Sequence, residues 1–121
     1  MTTDTDSLRE LSSIFNDRAL KSSPRLLILI CLSMNRKLGF TELSKLTGLA
    51  KGRLGNHLLK LNNSGYIIII ERSFFSSKRI TVKITEKGLL MIRKYIKAIN
   101  ELELNEKKHN DLAASKDADS L

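Results

Sequence analysis

Only one cysteine stands in this chain of 121 residues. Cys31 therefore has no internal disulfide partner, and its place within LLILICL gives it the character of a small core hydrophobe. With His57 and His109 as the two histidines, Cys and His are too few and too scattered to build a metal centre, so no metal and no cofactor is expected. The longest apolar run, Leu26 to Leu32, falls far short of the roughly 20 residues that span a bilayer. The opening MTTDTDS carries acid where a secretory signal carries base, which predicts an intracellular, cytoplasmic protein without a membrane partner. No paired carboxylates, nucleophile beside a base, or phosphate-cradling loop is recognisable, so an enzyme is the least expected class. There is no internal repeat, and the length leaves room for one compact domain with modest extensions.

Acidic residues are also scarce where the chain is best able to fold. From Arg18 to Lys97 it carries 17 Lys and Arg against 3 Asp and Glu, a net of +14. The remainder carries 4 basic and 10 acidic residues, a net of −6. A basic middle between acidic ends, within an overall charge of +8, is the electrostatic footprint of a polyanion binder.

Taken in order, residues 1–6 are polar and expected to be disordered. Ser7 with Glu10 three residues on reads as a capping box, opening a helix over 7–21 whose stripe is Leu8, Leu11, Ile14 and Phe15. Ser22, Ser23 and Pro24 break it and start the next, because proline is tolerated in a first helical turn. Arg25 to Met34 is apolar on nearly every side, the pattern of a buried central helix, and Asn35 to Gly39 ends it.

The stretch FTELSKLTGLAKGRLGNHLLKLNNSG, Phe40 to Gly65, is the most informative. Leu43 and Leu46 make the apolar side of a short helix that Thr41 can cap and Gly48 can end. Leu54, Leu58 and Leu61 then recur at i, i+4, i+7 and place a second helix's buried stripe against the first. Lys51, Arg53, Asn56, His57 and Lys60 remain outside. Two helices joined by a tight turn, with a basic and amide-bearing outer face on the second, suit a major groove, and double-stranded DNA is the expected partner.

Tyr66 to Arg72, with four consecutive isoleucines, reads as a strand buried on much of both faces. Arg79 to Ile84 alternates, with Ile80, Val82 and Ile84 on one side, and the two strands make a hairpin with a basic, serine-rich tip. Phe74 and Phe75 near that tip have three open roles: packing under it, meeting a partner subunit, or wedging toward DNA, with packing the expected one. Thr85 can cap a last helix over 85–108, and residues 109–121 read as a disordered acidic tail.

This ordered set resembles the winged helix-turn-helix regulators of the MarR and ArsR type, above all their small archaeal and bacterial single-domain members. The resemblance rests on SPRLLILICL at Ser23 to Leu32, FTELSKLTGLAKGRLGNHLLKLNNSGYI at Phe40 to Ile67, and ITEKG at Ile84 to Gly88. It implies a mostly α, α+β fold: a winged helix-turn-helix core over 22–84, a two-stranded β-wing, and N- and C-terminal dimerisation helices. It further implies a homodimer with recognition helices in successive major grooves and wings reaching backbone or minor groove. Two positions depart from the pattern. Ala50 stands where Ser or Thr usually caps the recognition helix, at a loss of ~1 kcal/mol, and Gly55 lies within that helix.

Among individual residues, Arg53 is the leading base reader, since a guanidinium can donate two hydrogen bonds to guanine O6 and N7. Asn56 can pair with adenine by the same geometry or be a plain surface amide. His57 reads as a phosphate neighbour or packing residue, and Lys51 and Lys60 as phosphate contacts. Lys78 and Arg79, supported by Arg72, are the wing's candidates. For Arg25, Arg36, Lys37 and Lys45 a plain surface role is expected. Leu89, Ile92, Ile96 and Ile99, spaced by threes and fours with Tyr95 beside them, are assigned with Leu8, Leu11 and Phe15 to dimerisation, while packing within the domain takes part of that stripe. The expected function is a homodimeric, sequence-specific regulator of transcription on a palindromic operator, associated with the nucleoid. The alternatives are an architectural, chromatin-like protein that coats DNA without sequence preference, and a winged-helix module for protein or RNA.

Overall fold

A helix that is apolar all round must be surrounded, and the segment after Pro24 sets the architecture for that reason. The computed structural model describes residues 4–119. They form α1 (Asp4–Phe15), a 3-10 turn (Arg18–Leu20), α2 (Ser23–Asn35), β1 (Lys37–Gly39), α3 (Phe40–Thr47), α4 (Lys51–Asn63), β2 (Ile67–Phe74), β3 (Ser77–Ile84) and α5 (Glu86–Asp119). Leu26, Ile28, Leu29 and Leu32 of α2 are buried among Leu43 of α3, Leu54, Leu58 and Leu61 of α4, Ile67 and Val82 of the sheet, and Leu89 and Ile92 of α5. Each large side chain so buried contributes about 1.5–3 kcal/mol. The result is a mostly helical winged-helix fold with a small antiparallel sheet in the order β1-β3-β2.

Several local expectations change. The sheet has three strands, because Lys37 to Gly39 pairs with β3, Leu38 opposite Val82. Arg36 makes that possible. At φ 63° it closes α2 through its N–H to the Leu32 carbonyl (2.7 Å), while its own carbonyl accepts from Ile84 N–H (3.0 Å). Ser7 caps nothing: α1 starts at Asp4, and the buried Ser7 hydroxyl instead donates to Glu101 of α5 (3.0 Å). The helix ends at Phe15, and Asp17 accepts from Ala19 N–H (2.8 Å) to start the 3-10 turn. Gly39, not Thr41, is the N-cap of α3, with Glu42 accepting from its N–H (3.3 Å), and Leu46 lies 59% exposed. In β2 only Ile67 is buried, Ile68 faces out and Ile69 and Ile70 are half-buried, since one face of this hairpin has nothing packed on it.

The terminal helices depart furthest. α5 continues to Asp119, 34 residues, so most of the segment expected as a disordered tail is helical. At about 1.5 Å per residue it is roughly 50 Å long. Residues 4–6 are likewise helical rather than disordered, and residues 1–3 and 120–121 lie outside the described residues. α1 lies against α5, where Phe15 meets Tyr95 edge to face with centroids 6.0 Å apart. Leu11, Leu89 and Ile92, assigned to dimerisation from the sequence, are buried in the chain's own core and make the part of that stripe taken by packing within the domain. Ile14 and Ile92 belong to the same cluster as Leu54, so both terminal helices contribute to the core. No helix among the described residues is long and apolar enough to cross a membrane.

The start of α5 is seated on the end of α4. Thr85 accepts from Gly88 N–H (3.1 Å) as the expected cap, and its hydroxyl donates to the Gly65 carbonyl (2.7 Å). A Cβ on Gly88 would stand 2.3 Å from the Tyr66 carbonyl oxygen. This explains the glycine in ITEKG, because backbone there cannot yield as a flexible side chain can. Gly88→Ala is expected to destabilise the fold by about 1–3 kcal/mol, read as a lower urea midpoint; an unchanged midpoint would refute this seating.

Candidate nucleic-acid interface

The turn into α4 is assembled from short polar side chains. Gly48 adopts φ 71° after α3, where its N–H reaches the Ser44 carbonyl, and Ser44 Oγ donates to the Leu49 carbonyl (2.8 Å). Ala50 is the N-cap of α4 and makes no side-chain cap bond. Burial of Leu54, Leu58 and Leu61 then dictates which side of α4 faces out. Lys51, Arg53, Asn56 and Lys60 are exposed, as are Gly52, Leu59 and Asn63. A Cβ on either Gly52 or Gly55 would meet no atom within 4 Å, so neither glycine is required by packing.

His57 is half-buried and held from below. The Arg25 guanidinium, expected at the surface, is buried: Nε donates to the Ala19 carbonyl, Nη2 to the Arg18 carbonyl (3.2 Å), and Nη1 lies 3.1 Å from His57 Nδ1. Guanidinium can only donate, so Nδ1 accepts and the imidazole proton sits on Nε2. Arg25 thus ties the 3-10 turn and α2 to the middle of α4, which makes His57 a positioning residue. The available signal was an arginine in the first turn of an otherwise apolar helix.

A second clasp holds the far end of α4. Tyr66 is 1% exposed, its hydroxyl donates to Asp17, and burial first, then the Asp17 carboxylate, raises its pKa. Lys87 of α5 places Nζ 4.8 Å from the Tyr66 ring centre and donates to the Ser64 carbonyl (2.7 Å).

The hairpin stands on the same side as the start of α4. Lys51, Arg72, Lys78 and Arg79 line one groove of about 850 Å³ together with Lys37 of β1. Four of the eight residues expected to contact DNA therefore share a surface, joined by a lysine whose strand could not be read from sequence. Arg53, Asn56, His57 and Lys60 lie outside this groove, along α4. Arg72 and Arg79 are directly opposed across β2 and β3, an arrangement that repels unless an anion lies between. Lys78 pairs with Glu71 (2.6 Å) in the open, a bridge worth about 0–1 kcal/mol and readily exchanged for another anion.

Phe74 and Phe75 do not pack under the tip. Phe74 is over half exposed and Phe75 fully so, at the start of a two-residue turn with φ 54°. A left-handed non-glycine residue costs roughly 1–2 kcal/mol. Elsewhere, among the described residues, no three or more His, Cys, Asp or Glu stand close enough to hold a metal.

A family model described as winged helix DNA-binding domain matches residues 25–102. Among solved structures, a transcriptional regulator homologue from Pyrococcus horikoshii OT3 is similar at 25% identity and TM-score 0.69, over 80% of this chain and 96% of that one. The S. aureus MepR–DNA complex is similar at 13% identity and TM-score 0.68, over 92% and 90%. A MarR family transcriptional regulator from Silicibacter pomeroyi DSS-3 is similar at 17% identity and TM-score 0.59, over 83% and 69%. Comparison with curated proteins finds no match.

Burial, followed by the charges of Arg25, Arg53 and Lys60, holds the His57 imidazole below the usual histidine value. The unfolded chain therefore binds this proton more readily. The stability contributed by neutral His57 is complete above about pH 6.5 and is lost as pH falls toward the folded value. The urea midpoint is expected to drop as pH falls from 7 to 5, with part of the drop absent in His57→Asn; identical pH profiles would contradict the clasp.

Proposed function

Because this chain belongs to the winged helix DNA-binding domain family, we propose that it is a transcriptional regulator that binds a palindromic operator as a homodimer. Each copy lays α4 in a major groove and its hairpin along the adjacent backbone. The observation that carries this reading is the uncovered outer face of α4, with Lys51 continuing into the groove shared by Arg72, Lys78 and Arg79. In the first turn of α4 Arg53 reads guanine, and in the second Asn56 reads adenine, while the lysines hold phosphates without reading sequence.

The dimer is supported by apolar side chains that the protomer leaves outside. Leu8 and Phe15 of α1 and Ile96, Ile99, Leu104 and Leu112 of α5 are all exposed. Ile96 and Leu104 also border a shallow groove of about 330 Å³ along α5. Two copies paired through these helices would set their α4 helices about one helical turn of DNA apart.

Log affinity for duplex is expected to fall with log salt, each neutralised phosphate adding about −0.9 to the slope. On a sequence selected from a random pool, Arg53→Ala is expected to cost ~1–3 kcal/mol and to relax preference at one base pair, whereas Lys51→Ala should lower the slope by about one on every duplex. Equal competition by unrelated DNA would replace the operator reading with the architectural one. Ile96→Asp is expected to convert the dimer to monomer by light scattering; a persistent dimer would move the interface off α5.

A further inference from the structure

The tip of the hairpin contains a residue that folding does not explain. Phe75 combines a left-handed backbone, φ 54°, with a ring wholly in solvent and outside the core cluster. Asn or Gly would suit that turn better on both counts, and strain of this kind persists where something other than folding uses it. Phe74 beside it is also exposed. Directly behind the two rings stand the opposed Arg72 and Arg79 and the exposed Lys78. The occupant of such a tip must offer apolar surface bordered by negative charge. A second copy of this basic surface fails that requirement, whereas duplex DNA meets it, since phosphates flank stacked bases that become apolar surface once a step is opened. The same cations continue into the groove that reaches Lys51 at the start of α4, so one duplex can engage both.

We propose that Phe75 is a wedge that enters the minor groove beside the α4 site, opens a base step and bends the DNA, while Arg72 and Arg79 grip the flanking phosphates. This rests on the duplex-binding reading above. It adds that the hairpin reads deformability, so sequences with easily unstacked pyrimidine–purine steps under the tip are preferred without any hydrogen bond to them.

The test uses the full chain and duplexes carrying 2-aminopurine at successive steps flanking the selected site, with donor and acceptor dyes at the duplex ends. The wild-type chain is expected to raise 2-aminopurine fluorescence at one flanking step per half-site and to bend the duplex by about 20–90°. Phe75→Asn, which suits the turn, is expected to abolish the fluorescence rise and to weaken binding roughly tenfold. Its salt slope should match wild type because no charge is lost. Bound but unbent and unstacked DNA with the wild-type chain overturns the wedge and leaves the duplex reading intact. So does a Phe75→Asn chain that distorts DNA as wild type does, or one whose only change is loss of the dimer by light scattering. A wild-type chain that binds no duplex overturns both.

Discussion

The fold depends on one constraint: α4 must bury one side deeply enough to be rigid while leaving the other side bare. Leu54, Leu58 and Leu61 supply the burial against α2. Three leucines alone leave a helix free to roll by a fraction of a turn, and two polar clasps oppose this. Arg25 reaches His57 from beneath the middle of the helix, and Tyr66, bonded to Asp17 and covered by Lys87, pins its end. Both clasps lead back to the segment between α1 and α2, where Arg18 and Ala19 lend carbonyls and Asp17 a carboxylate. Buried polar groups in this arrangement are satisfied, and breaking one partner would strand the other at a cost that favours the assembled geometry.

Charge and apolar surface are unevenly spread over the domain. The α4 face and the groove running from Lys51 to the hairpin hold one group of cations, whereas exposed apolar residues on α1, α5 and the hairpin tip form a second group, with Leu27, Met34, Leu46, Leu59 and Ile68 exposed on other elements. The first group suits a polyanion. The second on the terminal helices is the kind of surface that a partner covers, and α5 extends well beyond the core that its first turns complete.

Much of this was legible in the residues. The i, i+4, i+7 leucines, Gly48 in the left-handed conformation, the Thr85 cap and the alternation of Ile80, Val82 and Ile84 each follow from local rules that the structure obeys. What failed did so where a distant contact outweighed a local pattern. Ser7 and Glu10 look like a capping box, yet Ser7 serves Glu101. Lys37 to Gly39 has no strand pattern and becomes one because β3 offers an unpaired edge. Four isoleucines in a row suggest burial on both sides, but only one side of the hairpin has the core beneath it.

The sequence by itself therefore determined which helix faces are apolar, where the chain turns, and that positive charge accumulates on the folded middle, since periodicity, glycine and charge act locally or as plain sums. Tertiary structure alone decided that Arg25 turns inward to hold His57 and that Gly88 must have no side chain. It alone also set Lys37 beside the wing cations and left Phe75 in solvent. Each of these depends on what another element, far along the chain, presents at that point in space, and no local pattern carries that information.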